Sequence, residues 1–395
     1  MGRLIRLVLV LFMGIFVGWP VAPLIPGPAG GSGKEIPPAV VENHQHLAVL
    51  RLQGTPYEMG YQHGVARRAA IRQLLGEGLY GQTVLGRGQS HGILLAHARQ
   101  LERGLPLDIQ RELHGIADGA GLSYEDILLL NLVLNRLPSL PLASIHALPP
   151  LPALNLQALV FAAWPPAIHQ SEGVDGTLLG WRLDVPNEAA RLRRHLMAVI
   201  YQPTDGQAYI TVTWSGQVGA WCGLNEASLA VCATPAEGGD IVSQELSPAI
   251  LSRQLLAHAH DGEQALRQAV QHDYVSTFRL FIADGRRQIA TVIVFGAHRY
   301  DIIESQTGLV AFGSDWPQLV SLLKGNLGWL RGDKALAALS SGRTHGEDTP
   351  GICGESTLVN ALFAPGRGEL WVGLDLLPAS CRRYLHLRLA DGNVG

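Results

Sequence analysis

The chain has 395 residues, 47% of them apolar, and a formal net charge of −3, so it can bury a large core. Charged side chains are only 16% and aromatics 6%, which excludes a basic footprint for wrapping nucleic acid and a run of base-stacking platforms. With 46 Gly and 23 Pro, the composition suits many short strands with frequent turns better than a long-helix bundle.

In chain order, Arg3 and Arg6 precede an almost continuous apolar run, Leu7 to Val21. A basic start followed by an apolar stretch is the pattern of a secretory signal, and extended to Ile25 it reaches the roughly 20 residues that span a bilayer. Residues 1–25 are therefore expected to act as a signal peptide or membrane anchor, leaving everything from Pro26 onward outside the cytoplasm. Residues 26–45, opening with PGPAGGSGKEIPP, read as a Gly/Pro-rich tether. Gly33-Lys34 does not make a phosphate loop, because Glu35 stands where Ser or Thr is needed.

His46 to Leu52 reads as a strand, and Thr55 with Pro56 opens a helix towards Leu75. Further helix follows, with Leu107–Ile116 and Tyr124–Asn135 apolar at helical spacing and Ser123 capping the second, Asp126 three residues on. Leu137 to Leu156 holds five prolines and almost no charge, which marks a loop and an internal boundary. Short β-rich runs come next at 159–163, 178–183, 195–201, 208–214, 219–222 and 228–233. Helical spacing returns over 247–259 and 261–270, and strands resume at 277–282, 289–295 and 308–312. A helix near 316–330 precedes the last strands at 358–363, 369–373 and 384–388. Strands in runs between paired helices argue for α+β layers rather than a doubly wound parallel sheet.

The four cysteines, Cys222, Cys232, Cys353 and Cys381, form no CxxC pair and hence no zinc signature. Two readings stay open for them: disulfides, with Cys222 and Cys232 facing each other across a hairpin, or four buried thiols. His44 and His46 share one face of a strand, a spacing that more often marks a polar strand entry than a metal site. Neither cofactor nor metal is expected.

Four segments together carry a family resemblance. GTPYEMGYQHG at Gly54–Gly64 and ELHGIADGAGLSYEDILLLN at Glu112–Asn131 resemble the propeptide half of the isopenicillin-N acyltransferase and carcinine hydrolase family. DGTLLGWRLD at Asp175–Asp184 resembles that family's second strand, and GLNEASLAV at Gly223–Val231 resembles its Asn-containing turn. The resemblance implies an N-terminal-nucleophile hydrolase fold, an α+β four-layer αββα sandwich. Residues 46–156 would be the helical propeptide-like region and 157–395 the hydrolase-like core. It also implies a proenzyme that cuts itself before a cysteine, which then attacks an amide with its own α-amine as base.

The chain departs from that pattern where the chemistry should sit. Counting back from Phe161-Ala162-Ala163-Trp164 places the nucleophile position at Ala158, preceded by Gln157. The family's Arg and Asn of the second strand appear as Trp181 and Arg182, while Asp184 matches. Asn225 matches the oxyanion side chain, and the Asn expected after the late strand is missing from Ala311–Asp315.

The reading this supports is an exported, membrane-tethered relative that has lost amide hydrolysis. Asp184, Asn225 and Arg182 would be the remnant of its site, with room for a small acyl-amide or peptide-like ligand. Ala158, Asp184 and Asn225 are expected to converge at one mouth of the sandwich. An active C–N hydrolase with another nucleophile, such as Thr177, Ser171 or Ser144, is the first alternative. A structural or interaction module is the second.

Overall fold

The computed structural model of the chain describes residues 36–44, 47–76, 91–134, 157–169, 176–184, 192–235, 246–272, 274, 277–296, 298–313, 317–340, 357–373 and 383–392. The N-terminal apolar run, His46, the Leu/Pro-rich loop, Ser144, Ser171, Cys353, Cys381 and the pair Ser314-Asp315 lie outside the described residues. The chain divides into two units, 1–36 and 37–395. All the elements below belong to the second.

Strand β1 (Val40–His44) occupies the end of the stretch read as a tether, and pairs antiparallel with β2 (Leu47–Gly54). Helix α1 (Pro56–Gln73) starts where Thr55 and Glu58 form a capping box. The Glu58 N–H donates to Thr55 Oγ1 at 3.3 Å, and the Thr55 N–H donates to Glu58 Oε2 at 2.7 Å. Helix α2 (His91–Glu102) leads to α3 (Leu107–Ala120), which ends on Gly121 at φ 62°, the left-handed position where a β-carbon is costly. Helix α4 (Tyr124–Leu134) is capped by Ser123, whose Oγ accepts from the Asp126 N–H at 3.1 Å.

Helices α1 and α3 lie backbone against backbone. Gly60 and Gly64 of α1 face the carbonyls of Glu112 and Ile116, while Gly115 and Gly119 of α3 face those of Tyr57 and Tyr61. A β-carbon at any of the four would run into the opposing main chain. This explains why both resembling segments carry glycines at i,i+4 spacing, the spacing that puts them on one helix face.

The strands then follow as β3 (Gln157–Ala163), β4 (Leu178–Asp184), β5 (Leu196–Pro203), β6 (Tyr209–Trp214), β7 (Cys222–Asn225) and β8 (Leu229–Pro235). Helices α5 (Pro248–His258) and α6 (Gly262–Ala269) precede β9 (Phe278–Asp284), β10 (Ile289–Gly296), β11 (Arg299–Ile303) and β12 (Leu309–Phe312). The chain closes with α7 (Pro317–Gly325), α8 (Gly332–Leu339), β13 (Thr357–Ala364), β14 (Glu369–Gly373) and β15 (Tyr384–Arg388).

Two of these were not legible. The β10–β11 turn is made by His298 at φ 59°, so the Gly or Asn that usually announces such a hairpin is absent. Helix α8 starts at Arg331 without a side-chain cap. Strand β7 also sits three residues later than the apolar run suggested, because its register is fixed by neighbours, Tyr209 opposite Asn225 and Cys222 opposite Cys232. Those two cysteines are bonded, which decides between the open readings for this pair.

Among the described residues nine strands form one sheet in the order β1-β2-β5-β6-β7-β8-β9-β10-β11, and six form the other, β12-β3-β4-β13-β14-β15. The sheets meet through β3 and β4 against β8 and through β13 against β7. Helices α1, α5 and α6 cover the outer face of the large sheet and α8 that of the small one. The result is a four-layer αββα sandwich. Among the described residues no helix is long and apolar enough to cross a membrane.

A buried polar cluster ties the helical layer to the large sheet. Arg253 of α5 donates to Glu112 of α3 at 2.5 Å and to the Val218 carbonyl at 2.7 Å. Its guanidinium lies 4.6 Å from the ring centre of Tyr201 and 5.3 Å from that of Tyr209. Burial pushes the Glu112 carboxyl up, against the opposing pull of Arg253. His63 is fully buried beside them, and its Nε2 accepts from the Gly216 N–H at 2.9 Å.

Candidate functional site at one mouth of the sandwich

Which strand ends meet follows from the register. Gln157 and Ala158 open β3 opposite Asp184 and Leu183 at the end of β4. Thr357 opens β13 opposite Asp184, and Phe312 ends β12 opposite Val160. Thr177, just before β4, donates to the Asp284 carbonyl at the end of β9 at 3.3 Å. The start of β4 and the end of β9 thus share one mouth, and the end of β4 and the start of β9 share the other.

Strand alternation then decides what faces the gap between the sheets. Ala158 is half-buried and packs with Val160, Trp181 and Leu183 in the inter-sheet core. On the large sheet Asp284 points outward, its carboxylate accepting from the Gly262 N–H of α6 at 3.0 Å. Arg279 and Phe281, at odd positions of the same strand, therefore point inward. The Phe281 ring meets Phe312 of the opposite sheet edge-on at 6.0 Å, and the Arg279 guanidinium lies 4.3 Å from the Phe312 ring centre. Thr234, opposite Arg279 in the neighbouring strand, shares that face and is buried.

The sequence-expected residues are distributed differently. Arg182 and Asp184 lie on the face of β4 turned towards α8, away from Ala158. Arg182 Nε donates to Asp184 Oδ1 at 3.1 Å and Nη2 to Oδ2 at 3.3 Å. Its remaining donors reach the Leu339 carbonyl at the end of α8 at 2.9 Å and Thr357 Oγ1 at 3.0 Å. Both side chains are buried. A cation at a helix C-terminus satisfies its last carbonyls, and this pair anchors α8 on the small sheet. Removing one partner of such a buried pair typically costs about 3–5 kcal/mol, since it leaves a charge without its counter-ion.

Asn225 lies elsewhere again. Its Nδ2 donates to the carbonyls of Leu256 and Ala259 at 3.0 and 2.9 Å, closing the C-terminus of α5, and its Oδ1 accepts from the Leu229 N–H at 3.0 Å. It sits on the helix-facing side of the large sheet, at the end of β8 opposite Thr234. The expected convergence of Ala158, Asp184 and Asn225 is therefore corrected. Ala158 and Asp184 are neighbours in register but point to opposite faces, and Asn225 is at the far mouth on an outer face. Thr177 is also at the far mouth.

Arg279, Thr234 and Phe312 were not singled out from the sequence. The signal was present in Phe278-Arg279-Leu280-Phe281, where one charged residue interrupts an apolar strand. What hid it was the sheet order, which alone says that the odd face looks across to β12. Among the described residues no group of three His, Cys, Asp or Glu side chains could hold a metal ion. A separate cavity of about 620 Å³ lies in the helical layer, lined among others by Leu251, Gln254, His258, His272 and Tyr274.

Residues 181–311 match the family of acyl-coenzyme A:6-aminopenicillanic acid acyl-transferase. An uncharacterized protein of Archaeoglobus fulgidus is 27% identical over 202 residues, which cover 46% of this chain and 32% of the relative, so the match spans about a third of that protein's length. Among solved structures, the Caenorhabditis elegans ortholog of N-acylethanolamine-hydrolyzing acid amidase is similar with a TM-score of 0.41 and 14% identity, over 53% of this chain and 93% of that one. A mutant conjugated bile acid hydrolase from Clostridium perfringens gives 0.36 and 10%, over 60% and 93%. Penicillin V acylase from Agrobacterium tumefaciens gives 0.33 and 12%, over 59% and 78%.

Proposed function

From a chain related over residues 181–311 to the acyl-coenzyme A:6-aminopenicillanic acid acyl-transferase family, we propose an exported, membrane-tethered protein that keeps the fold without self-processing. It binds a small acyl or acyl-amide ligand at the mouth beside Ala158 and does not hydrolyse it. The observation that carries this is Ala158 itself. A methyl group stands on the inward face at the start of β3, where the family resemblance asks for a thiol, and alanine has no atom that can attack a carbonyl or free an α-amine. Trp181 supports the same reading. Its ring is buried in the inter-sheet core, in the place where the resemblance asks for a guanidinium. Arg182 does not replace that guanidinium, because it points into the α8 layer.

Intact mass of the full chain purified from membranes and from the medium is the deciding measurement. The expected result is one polypeptide, with or without its first ~25 residues. Two fragments meeting near residue 158 would overturn the proposal.

One observation favours an active alternative: Thr234 brings a hydroxyl to the same mouth, beside Arg279. Release of amine from short acyl amides by the wild-type chain, abolished in Thr234→Val, would establish that alternative in place of the first.

A further inference from the structure

We infer that the protein forms a symmetric dimer through the free edge of its nine-stranded sheet, with β11 of a second copy pairing antiparallel with β11 of the first about Tyr300. The inference does not depend on the ligand-binding reading above. Three observations carry it.

Strand β11 is an open edge. It ends the sheet order, and among the described residues no strand pairs with its outer side. Arg299, Tyr300, Asp301 and Ile302 are exposed in succession, so both faces of the strand stand clear. In an edge strand every second residue turns its N–H and C=O away from the sheet, where another strand can take them.

A row of rings runs to this edge and stops there. Phe278 of β9, Phe295 of β10 and Tyr300 of β11 stand opposite one another in register. The two Phe rings stack at 4.7 Å, and the Tyr300 ring lies 6.1 Å from that of Phe295. Both Phe side chains are buried, whereas Tyr300 and Ile302, on the same face, are each 46% exposed. Pairing about Tyr300 sets the two tyrosines directly opposite each other and carries the row from one copy into the next. Cross-strand aromatic pairs are among the contacts that stabilise a sheet.

The charges select that register. A two-fold axis normal to the sheet keeps every residue on its own face, so it must be centred on a residue. Centred on Tyr300, it brings Arg299 opposite the second copy's Asp301, twice over. Centred on Arg299 or on Asp301 it would oppose like charges, and centred on Ile302 it would match neither. Among the described residues Arg299 and Asp301 have no ion-pair partner within the chain. The other edge of the sheet offers less, since the one acid of β1, Glu42, is already met by His44 at 3.3 Å and Arg51 at 3.4 Å. A two-fold pairing consumes the β11 edge of both copies and therefore closes at two.

Sedimentation velocity of the full chain in mild detergent, between about 1 and 100 µM, is expected to show a monomer–dimer equilibrium. Arg299→Asp opposes two acids at both contacts and is expected to weaken the dimer at least about 10-fold, as is Asp301→Arg with two cations. Combining the two substitutions is expected to restore the dimer to within about 3-fold of the wild type. Under mild oxidation Tyr300→Cys should yield a disulfide-linked dimer, and Gln306→Cys, exposed beyond the end of β11, should not. A monomer across the whole range would overturn the inference. So would a dimer indifferent to both single charge changes, one that the combined substitution fails to restore, or one that Tyr300→Cys does not cross-link. A dimer held instead by the N-terminal apolar run would show that indifference and that missing cross-link.

Discussion

At the scale of single residues, the buried polar side chains separate into those that hold layers together and those that face the gap. His63 shows what burial does to a titratable group. Burial first, then the charges of Arg67 and Arg253, lower its pKa from the usual value to about 3. The folded chain thus keeps this imidazole neutral in a pH range where the unfolded chain protonates it. The stabilising contribution is fully present above the unfolded pKa, about 6.5, and is lost as pH falls towards 3. Over that window the unfolding free energy should drop by up to about 1.4 kcal/mol per pH unit from this group. Urea unfolding at pH 7.5, 6 and 5 measures the slope. His63→Gln, whose amide oxygen can still accept from the Gly216 N–H, should flatten it, and an unchanged slope in that variant would place the acid sensitivity elsewhere.

Among elements, the tightest junction is between α1 and α3, where the glycines let two backbones touch. Gly115 has the carbonyl of Tyr57 and the main chain of Gly60 and Tyr61 where its β-carbon would go. Helix propensity alone would make Gly115→Ala favourable by up to about 1 kcal/mol. Packing reverses the sign, since overfilling such a contact costs about 1–3 kcal/mol. Chemical denaturation should therefore show Gly115→Ala destabilised. A control at Gly104, where the only nearby atom is 3.6 Å away, should be close to neutral. Stabilisation by Gly115→Ala would mean that the two helices sit farther apart than described.

For the whole molecule, the order of layers decides which side chains face the gap, and no motif states it. The small sheet carries Ala158 and Trp181 on its inner face and Arg182 and Asp184 on its outer face, so a displacement of one position along β4 moves a charge from the gap to the helical layer. The proposed export adds a topological constraint, because basic residues ahead of an apolar run keep that end in the cytoplasm. Protease added to the cytoplasmic face of sealed membrane vesicles should leave the 37–395 unit intact, and protease added after detergent should not. Digestion without detergent would contradict the proposed orientation.

The sequence by itself determined most of the elements, since capping signals such as Thr55/Glu58 and Ser123/Asp126 and the alternation within β4 are local. It also determined the fold class, through segments whose glycines answer to one helix contact, and it located Ala158 at the head of β3. The site was different. Asn225 and Asp184 matched by position, yet a motif does not state which face of a sheet a side chain takes or which mouth a strand end occupies. Those are set by pairings between residues far apart in the chain, Thr177 with Asp284, Phe312 with Val160, Arg279 with Phe312. Only the tertiary structure decided that Asn225 closes a helix, that Arg182 anchors another, and that Arg279 of β9 faces Phe312 across the gap, because each depends on non-local register rather than on local preference.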